Sequence, residues 1–281
     1  MRTRRLGWTA VEVAAIGQGT WRMGGSRRAR DAEAAALRLG LELGMTHLDT
    51  AEMYGDGGAE EAIAEALRTW GRERVFLTSK VLPQHASGRG TIAACEQSLR
   101  RLGTDHLDLY LLHWPGRHPI GETMQAMEAL VAAGKTRFIG VSNFDVEELR
   151  AAMAALTSVR LACNQVLYNL AQRGIEYDLL PLCAGEQIAV VGYTPFGGWP
   201  RRGAALAALE AIGARQGKTA RQVALAFLVR RPELFAIPKA SDPDHVRENA
   251  GAADVELTAA DLAAIDAAFP PPRRKAPLAT G

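Results

Sequence analysis

The chain has 281 residues, 48% of them hydrophobic and 23% charged, a balance that supplies a sizeable core and excludes the apolar-poor composition of a disordered chain. With 33 basic against 31 acidic side chains, the net charge of +2 is too small a field to draw in nucleic acid or a membrane surface. There is no apolar run of about 18 residues, residues 1–13 make a poor export signal, and Cys95, Cys163 and Cys183 have no CxxC spacing, so a cytoplasmic protein with reduced thiols is expected.

In chain order, residues 13–17 read as the first β-rich run and lead through Gly19 and Thr20 to Trp21 and Arg22. Residues 46–49 form the second. Ala59, Ala62, Ile63, Ala66 and Leu67 then recur on one helix face, with Gly71 as the stop. Residues 75–80 precede a helix of Ile92, Cys95, Leu99 and Leu102 that ends at Gly103, and residues 107–114 precede one of Met127, Leu130 and Val131 that ends at Gly134. The fifth run, 138–143, is followed by Asp145 and Glu148, a pairing that caps a first helical turn. Residues 161–165 and 188–194 come next, then a second cap of Thr219 with Gln222, and residues 235–239. Thr258 opens a last helix of Leu262, Ile265 and Phe269, which Pro270, Pro271 and Pro272 close.

Strands that alternate with helices imply a parallel sheet, and eight such units favour a closed (β/α)8 TIM barrel, a single domain over 1–281 with an N-terminal β-hairpin. A doubly wound dinucleotide fold is disfavoured, because Gly17 and Gly19 are not followed by the third glycine of GxGxxG.

A barrel presents its reactive groups at the C-terminal ends of its strands. Asp49, Lys80, His113, Ser142 with Asn143, Gln165, Tyr193 with Thr194, and Lys239 close the second to eighth runs in turn. Singly, each has an ordinary explanation: an Asp caps a turn, a lysine sits in a solvated loop, a histidine before Trp114 is structural. Together, with Tyr54 just beyond Asp49, they bring an acid, a phenol, an amine and an imidazole to one face.

The stretches that carry these residues are GQGTWRMG, HLDTAEMYG, LTSK, DLYLLHWP, IGVSNF, NQVLYN, GYTPF, and IPKAS followed by HVREN. As far as Asn249 they resemble the aldo-keto reductase family, and in particular short bacterial members that reduce aldehydes such as methylglyoxal. The resemblance implies NADPH-dependent reduction of a small carbonyl substrate, with Asp49, Tyr54, Lys80 and His113 as the catalytic residues and Tyr54 as general acid. A phenol of ordinary pKa ~10 is a weak acid at neutral pH. Lys80 is expected to lower it, Asp49 to hold Lys80 charged, and His113 to hydrogen-bond the substrate oxygen.

For the cofactor, the resemblance implies that Ser142, Asn143 and Gln165 hold the nicotinamide carboxamide and that Tyr193 stacks on the ring. Thr194, Pro195 and Phe196 face the pyrophosphate, and Gly19, Thr20 and Trp21 line the same cleft. Lys239, Ala240 and Ser241 grip the adenosine phosphate, with Glu248 and Asn249 at the adenine. Where many members carry arginine six residues after this lysine, the chain has His245, which weakens the expected preference for NADPH over NADH. Trp21, Met23 and Trp114 are the expected substrate walls.

No metal, nucleic acid or membrane is expected, and a monomer is. Two other readings differ in kind: a regulatory subunit that binds cofactor without turnover, and a zinc-dependent barrel hydrolase built on His106, His113 and His118.

Overall fold

The alternating runs become eight parallel strands in the computed structural model, which describes residues 1–281. Ahead of them, β1 (Thr3–Arg5) and β2 (Glu12–Ala14) pair antiparallel as a hairpin. The parallel strands are β3 (Gln18–Gly19), β4 (His47–Asp49), β5 (Phe76–Val81), β6 (Leu107–Leu112), β7 (Thr136–Ser142), β8 (Leu161–Leu167), β9 (Ala189–Tyr193) and β10 (Leu234–Ala236), each paired with the next. The two edges meet as well. Ile16 bridges Ala236, Gly17 N donates to Ala236 O at 2.8 Å, and Gly19 N donates to Pro238 O at 3.1 Å.

The expected first strand, 13–17, is divided. Its first half belongs to the hairpin, and the ladder to β4 starts only at Gln18. The reason lies in packing: Val13 and Leu6 are buried among the barrel-interior side chains Phe76, Leu109, Leu111, Cys163, Val191 and Phe235. The hairpin therefore plugs the barrel on the side away from the strand C-termini.

Helices α1 (Arg27–Glu42), α2 (Gly58–Trp70), α3 (Gly88–Leu102), α4 (Ile120–Ala132), α5 (Val146–Ala154) and α6 (Leu179–Gly185) connect β3 through β9. The pair α7 (Ala204–Ala214) and α8 (Ala220–Leu228) leads to β10, with α9 (Pro243–Gly251) and α10 (Ala259–Ala268) beyond it. Reciprocal caps form at Asp145 with Glu148 and at Thr219 with Gln222, and Gly103 ends α3 in the left-handed region that glycine adopts without a Cβ clash. No helix is long and apolar enough to cross a membrane.

Period-two alternation sorts the barrel interior by height. On β4, His47 and Asp49 point the same way. His47 lies edge-on to Phe76 and Phe235, with ring centroids at 5.6 and 6.4 Å, and burial holds its pKa near 4, so the ring is a neutral filler at neutral pH. One layer above it the filling turns polar, and there the site begins.

Candidate active site

Lys80, fully buried on β5, donates to Asp49 Oδ1 at 2.6 Å and to the Thr50 carbonyl at 2.8 Å. Burial alone would strip its proton. The Asp49 carboxylate, helped by Tyr54, overrides burial and raises the Lys80 pKa above the ordinary lysine value, so the ammonium persists. Gln165 Nε2 donates to Asp49 Oδ2 at 2.7 Å and thereby occupies the second carboxylate oxygen.

Above this pair, Tyr54 Oη stands 3.4 Å from Lys80 Nζ and 3.5 Å from His113 Nε2. The four side chains expected to act together thus form one chain of contacts, Asp49 to Lys80 to Tyr54 to His113. Their electrostatics differ from the expectation in one respect: burial raises the Tyr54 pKa and outweighs the downward pull of Lys80, so the protein alone keeps Tyr54 a phenol. Burial, reinforced by Lys80, drives His113 down to about 2. His113 is therefore a neutral ring that offers one N–H donor, not an imidazolium.

The backbone that aims Tyr54 is unusual. Residues Tyr54–Gly57 form a short 3-10 turn in which Gly55, Asp56 and Gly57 all have positive φ, at 58°, 53° and 90°. Two buried carboxylates hold the turn. Glu60, wholly buried, accepts from Ser79 Oγ at 2.6 Å and from Arg101 Nε at 2.5 Å, tying the start of α2 to the strand of Lys80. Glu33 accepts from Gly24 N at 2.9 Å, and Gly24 packs so closely on Gly58 that a Cβ there would meet the Gly58 carbonyl carbon at 2.2 Å. Sequence reading missed both acids, which look like ordinary helix-surface glutamates.

Over the tetrad opens a cleft of about 390 Å³, lined among others by Gly19, Thr20, Trp21, Trp114, Ser142, Asn143, Gln165, Tyr193 and Lys239. Ser142 Oγ donates to the Gln165 carbonyl at 2.8 Å, Asn143 Nδ2 to the His113 carbonyl at 3.0 Å, and Tyr193 Oη to Asn143 Oδ1 at 2.7 Å. Asn143 and Thr194 hold positive φ of 62° and 52° just beyond the ends of β7 and β9, on either side of β8, and for the β-branched Thr194 that is costly. Pro195 and Phe196 complete this wall, as do Met53, Gly197, Ile237 and Gly281, which the sequence did not mark.

Some expected positions fall elsewhere. Met23 is buried in the core, where its N–H closes a turn onto the Thr20 carbonyl, so it is not a substrate wall. Ala240, Ser241, His245, Glu248 and Asn249 lie beyond the cleft, on α9 or just before it. Ser241 Oγ accepts from Lys239 Nζ at 2.7 Å, Glu248 accepts from Thr219 Oγ1 at 2.7 Å, and Asn249 is buried. His245 is exposed, and its N–H is capped by Asp242. His106 precedes β6 and His113 follows it, which puts them roughly 20 Å apart at 3.3 Å per residue, so the three histidines do not form a zinc site.

The arrangement suits a ligand with a neutral amide at one end and anionic groups at the other. Beside Tyr193, Gln165 Oε1 has no protein partner, while at the far end Lys239 has only a hydroxyl partner and no counter-ion. A nicotinamide dinucleotide has this polarity.

Comparison with known proteins agrees. Residues 15–269 match the sequence model of the aldo/keto reductase family. The chain is 49% identical over 271 residues to methylglyoxal reductase YeaE of Escherichia coli, covering 95% of each protein. It is 33% identical over 261 residues to a glyoxal reductase of Bacillus subtilis, covering 92% of this chain and 89% of that one. Its fold superposes with a TM-score of 0.94 on an aldo/keto reductase of Klebsiella pneumoniae crystallised with NADP and acetate, at 46% identity and across the full length of both chains.

Proposed function

Since the chain belongs to the aldo/keto reductase family, we propose that it reduces small reactive 2-oxoaldehydes such as methylglyoxal to hydroxy compounds, with NADPH as cofactor and Tyr54 as the proton donor. The observation that carries this reading is the Tyr54 hydroxyl, held within 3.5 Å of both Lys80 Nζ and His113 Nε2 at the floor of the cleft.

Bound NADPH would supply a hydride to the carbonyl carbon. Negative charge then grows on the carbonyl oxygen, and the chain must meet it there. Tyr54 Oη and the neutral His113 ring converge as two donors onto that position. Tyr54 passes its proton to the oxygen, and Lys80, kept charged by Asp49, stabilises the phenolate left behind until solvent restores the proton. Ser142, Asn143, Gln165 and Tyr193 would hold the nicotinamide end, and Lys239 a phosphate. Trp21 and Met53 stand half-exposed at the mouth, with Trp114 against His113 at a ring separation of 4.8 Å, an open apolar rim for a small substrate.

NADPH absorbance should fall on addition of methylglyoxal. Binding of NADPH without turnover across a panel of small aldehydes would overturn the proposal and revive a regulatory role, which neither the complete tetrad nor the reductase relatives support.

The phosphate preference can be tested at the position where the chain departs from the family's arginine. Arg247, nearby on α9, pairs with Asp244 at 3.1 Å on the exposed surface. His245→Arg is expected to raise the ratio of NADPH to NADH affinity about tenfold, the scale of one added charged phosphate contact. Dissociation constants for the two cofactors, measured on both proteins, check this.

A further inference from the structure

One cation near the cleft is held in place with nothing to hold. Arg221, in the first turn of α8, has its guanidinium carbon 4.8 Å from the Phe196 ring centroid and 5.4 Å from that of Trp199. These two rings lie edge to face at 5.8 Å and form a corner that fixes the side chain. Two aromatic faces orient a guanidinium without using any of its five N–H donors. Arg221 makes no ion pair and no side-chain hydrogen bond. The carboxylate next to α8, Glu248, is taken up by Thr219 Oγ1.

Phe196 carries the argument into the cleft. It lines the wall beside Thr194 and Gly197, and it packs, with Ala240, against the apolar cluster of Leu225 and Val246. Leu225 is one turn beyond Arg221 on α8, Ala240 follows Lys239, and Val246 follows His245. Arg221 and Lys239 thus flank one small cluster behind the Phe196 wall of the cleft, both without a counter-ion. Arg247, by contrast, has a carboxylate partner in Asp244.

We propose that Arg221 is a phosphate clamp for the dinucleotide and shares with Lys239 the charge that His245 does not supply. The inference rests on the cofactor reading above and adds a residue to it. A guanidinium pre-oriented by stacking loses little rotamer freedom on binding, and its planar fork matches two phosphate oxygens where an ammonium matches one.

The test is calorimetric titration of NADPH and NADH into the intact protein and into Arg221→Met and Arg221→Lys. Methionine keeps an apolar stem against the rings and removes the fork. Lysine keeps the charge, guards against loss of fold in the first variant, and should fall between the two. Arg221→Met is expected to weaken NADPH binding about 10- to 100-fold, the range for a charge-assisted hydrogen-bonded contact. An equal loss for NADH places the clamp on the pyrophosphate, and a loss for NADPH alone places it on the adenosine 2′-phosphate. Either result supports the assignment. Unchanged affinity for both cofactors in variants whose thermal midpoint matches the parent would overturn it. Failure of the unaltered protein to bind either dinucleotide would instead sink the cofactor reading itself.

Discussion

Tyr54→Phe is expected to reduce kcat for aldehyde reduction by roughly 10²- to 10⁴-fold, the span that a positioned general acid contributes. The loss should fall on the chemical step. The Tyr54 hydroxyl touches only Lys80 and His113, at 3.4 and 3.5 Å, so its removal leaves Ser142, Asn143, Gln165 and Lys239 in place. NADPH affinity is therefore expected to stay within about threefold of the parent's. The protonation state adds a second signature. A proton donor must hold its proton, so reduction declines as pH rises through the Tyr54 pKa, and burial places that pKa above the ordinary value of 10.0. Burial also raises Tyr110, Tyr168 and Tyr193, so ultraviolet difference titration of the cofactor-free protein should show one fewer late-ionising tyrosine in Tyr54→Phe than in the parent. A Tyr54→Phe protein that keeps a tenth of the parent kcat would remove Tyr54 from the proton-donor role.

His113 fits the same logic. With its pKa near 2, it has no proton to give up across the working range, so its part is to donate a hydrogen bond and not to transfer a proton.

The strand ends were legible because a parallel barrel makes its chemistry a matter of register. Asp49, Lys80, His113 and Gln165 lie far apart in the chain, yet each closes or lies near the end of a run whose direction the alternation already fixes. The contacts of Glu60 could not be read in the same way. It stands in the acidic first turn of a helix, as solvated glutamates commonly do, and only Arg101, 41 residues on, and Ser79 on β5 show that it is buried. Met23 was misplaced because an apolar residue beside Trp21 looks the same in sequence whether it faces a cleft or the core. The alanine-rich α7, Ala204–Ala214, carries no clear apolar stripe and so gives little periodic signal. The balance between burial and Lys80 at Tyr54 is a matter of depth, and pattern carries no depth.

Replacing Lys80 separates what the buried pair does for stability from what it does for the reaction. In Lys80→Met, Asp49 would keep its bond from Gln165 Nε2 but lose the only cation it touches, at a site where the carboxylate is almost wholly buried. Stranding one member of a buried pair costs about 3–5 kcal/mol, so the urea midpoint should drop well below the parent's. Adding Asp49→Asn removes the stranded charge and should restore most of that stability, because a neutral amide can still meet Gln165. Activity should not follow. In both variants the phenolate left after proton donation has no ammonium 3.4 Å away, and kcat is expected to remain at least 100-fold below the parent's. The pH dependence of stability has a definite sign. Lys80 binds its proton more tightly folded than unfolded, so the contribution of the pair is complete below the unfolded value of about 10.5 and declines as pH rises through the folded pKa. Lys80→Met should show a shallower alkaline decline, the remainder coming from the buried tyrosines and thiols whose pKa burial also raises. Recovery of kcat together with stability in the double variant would mean that Lys80 serves the fold alone, and the ammonium would have no part in the proton transfer at Tyr54.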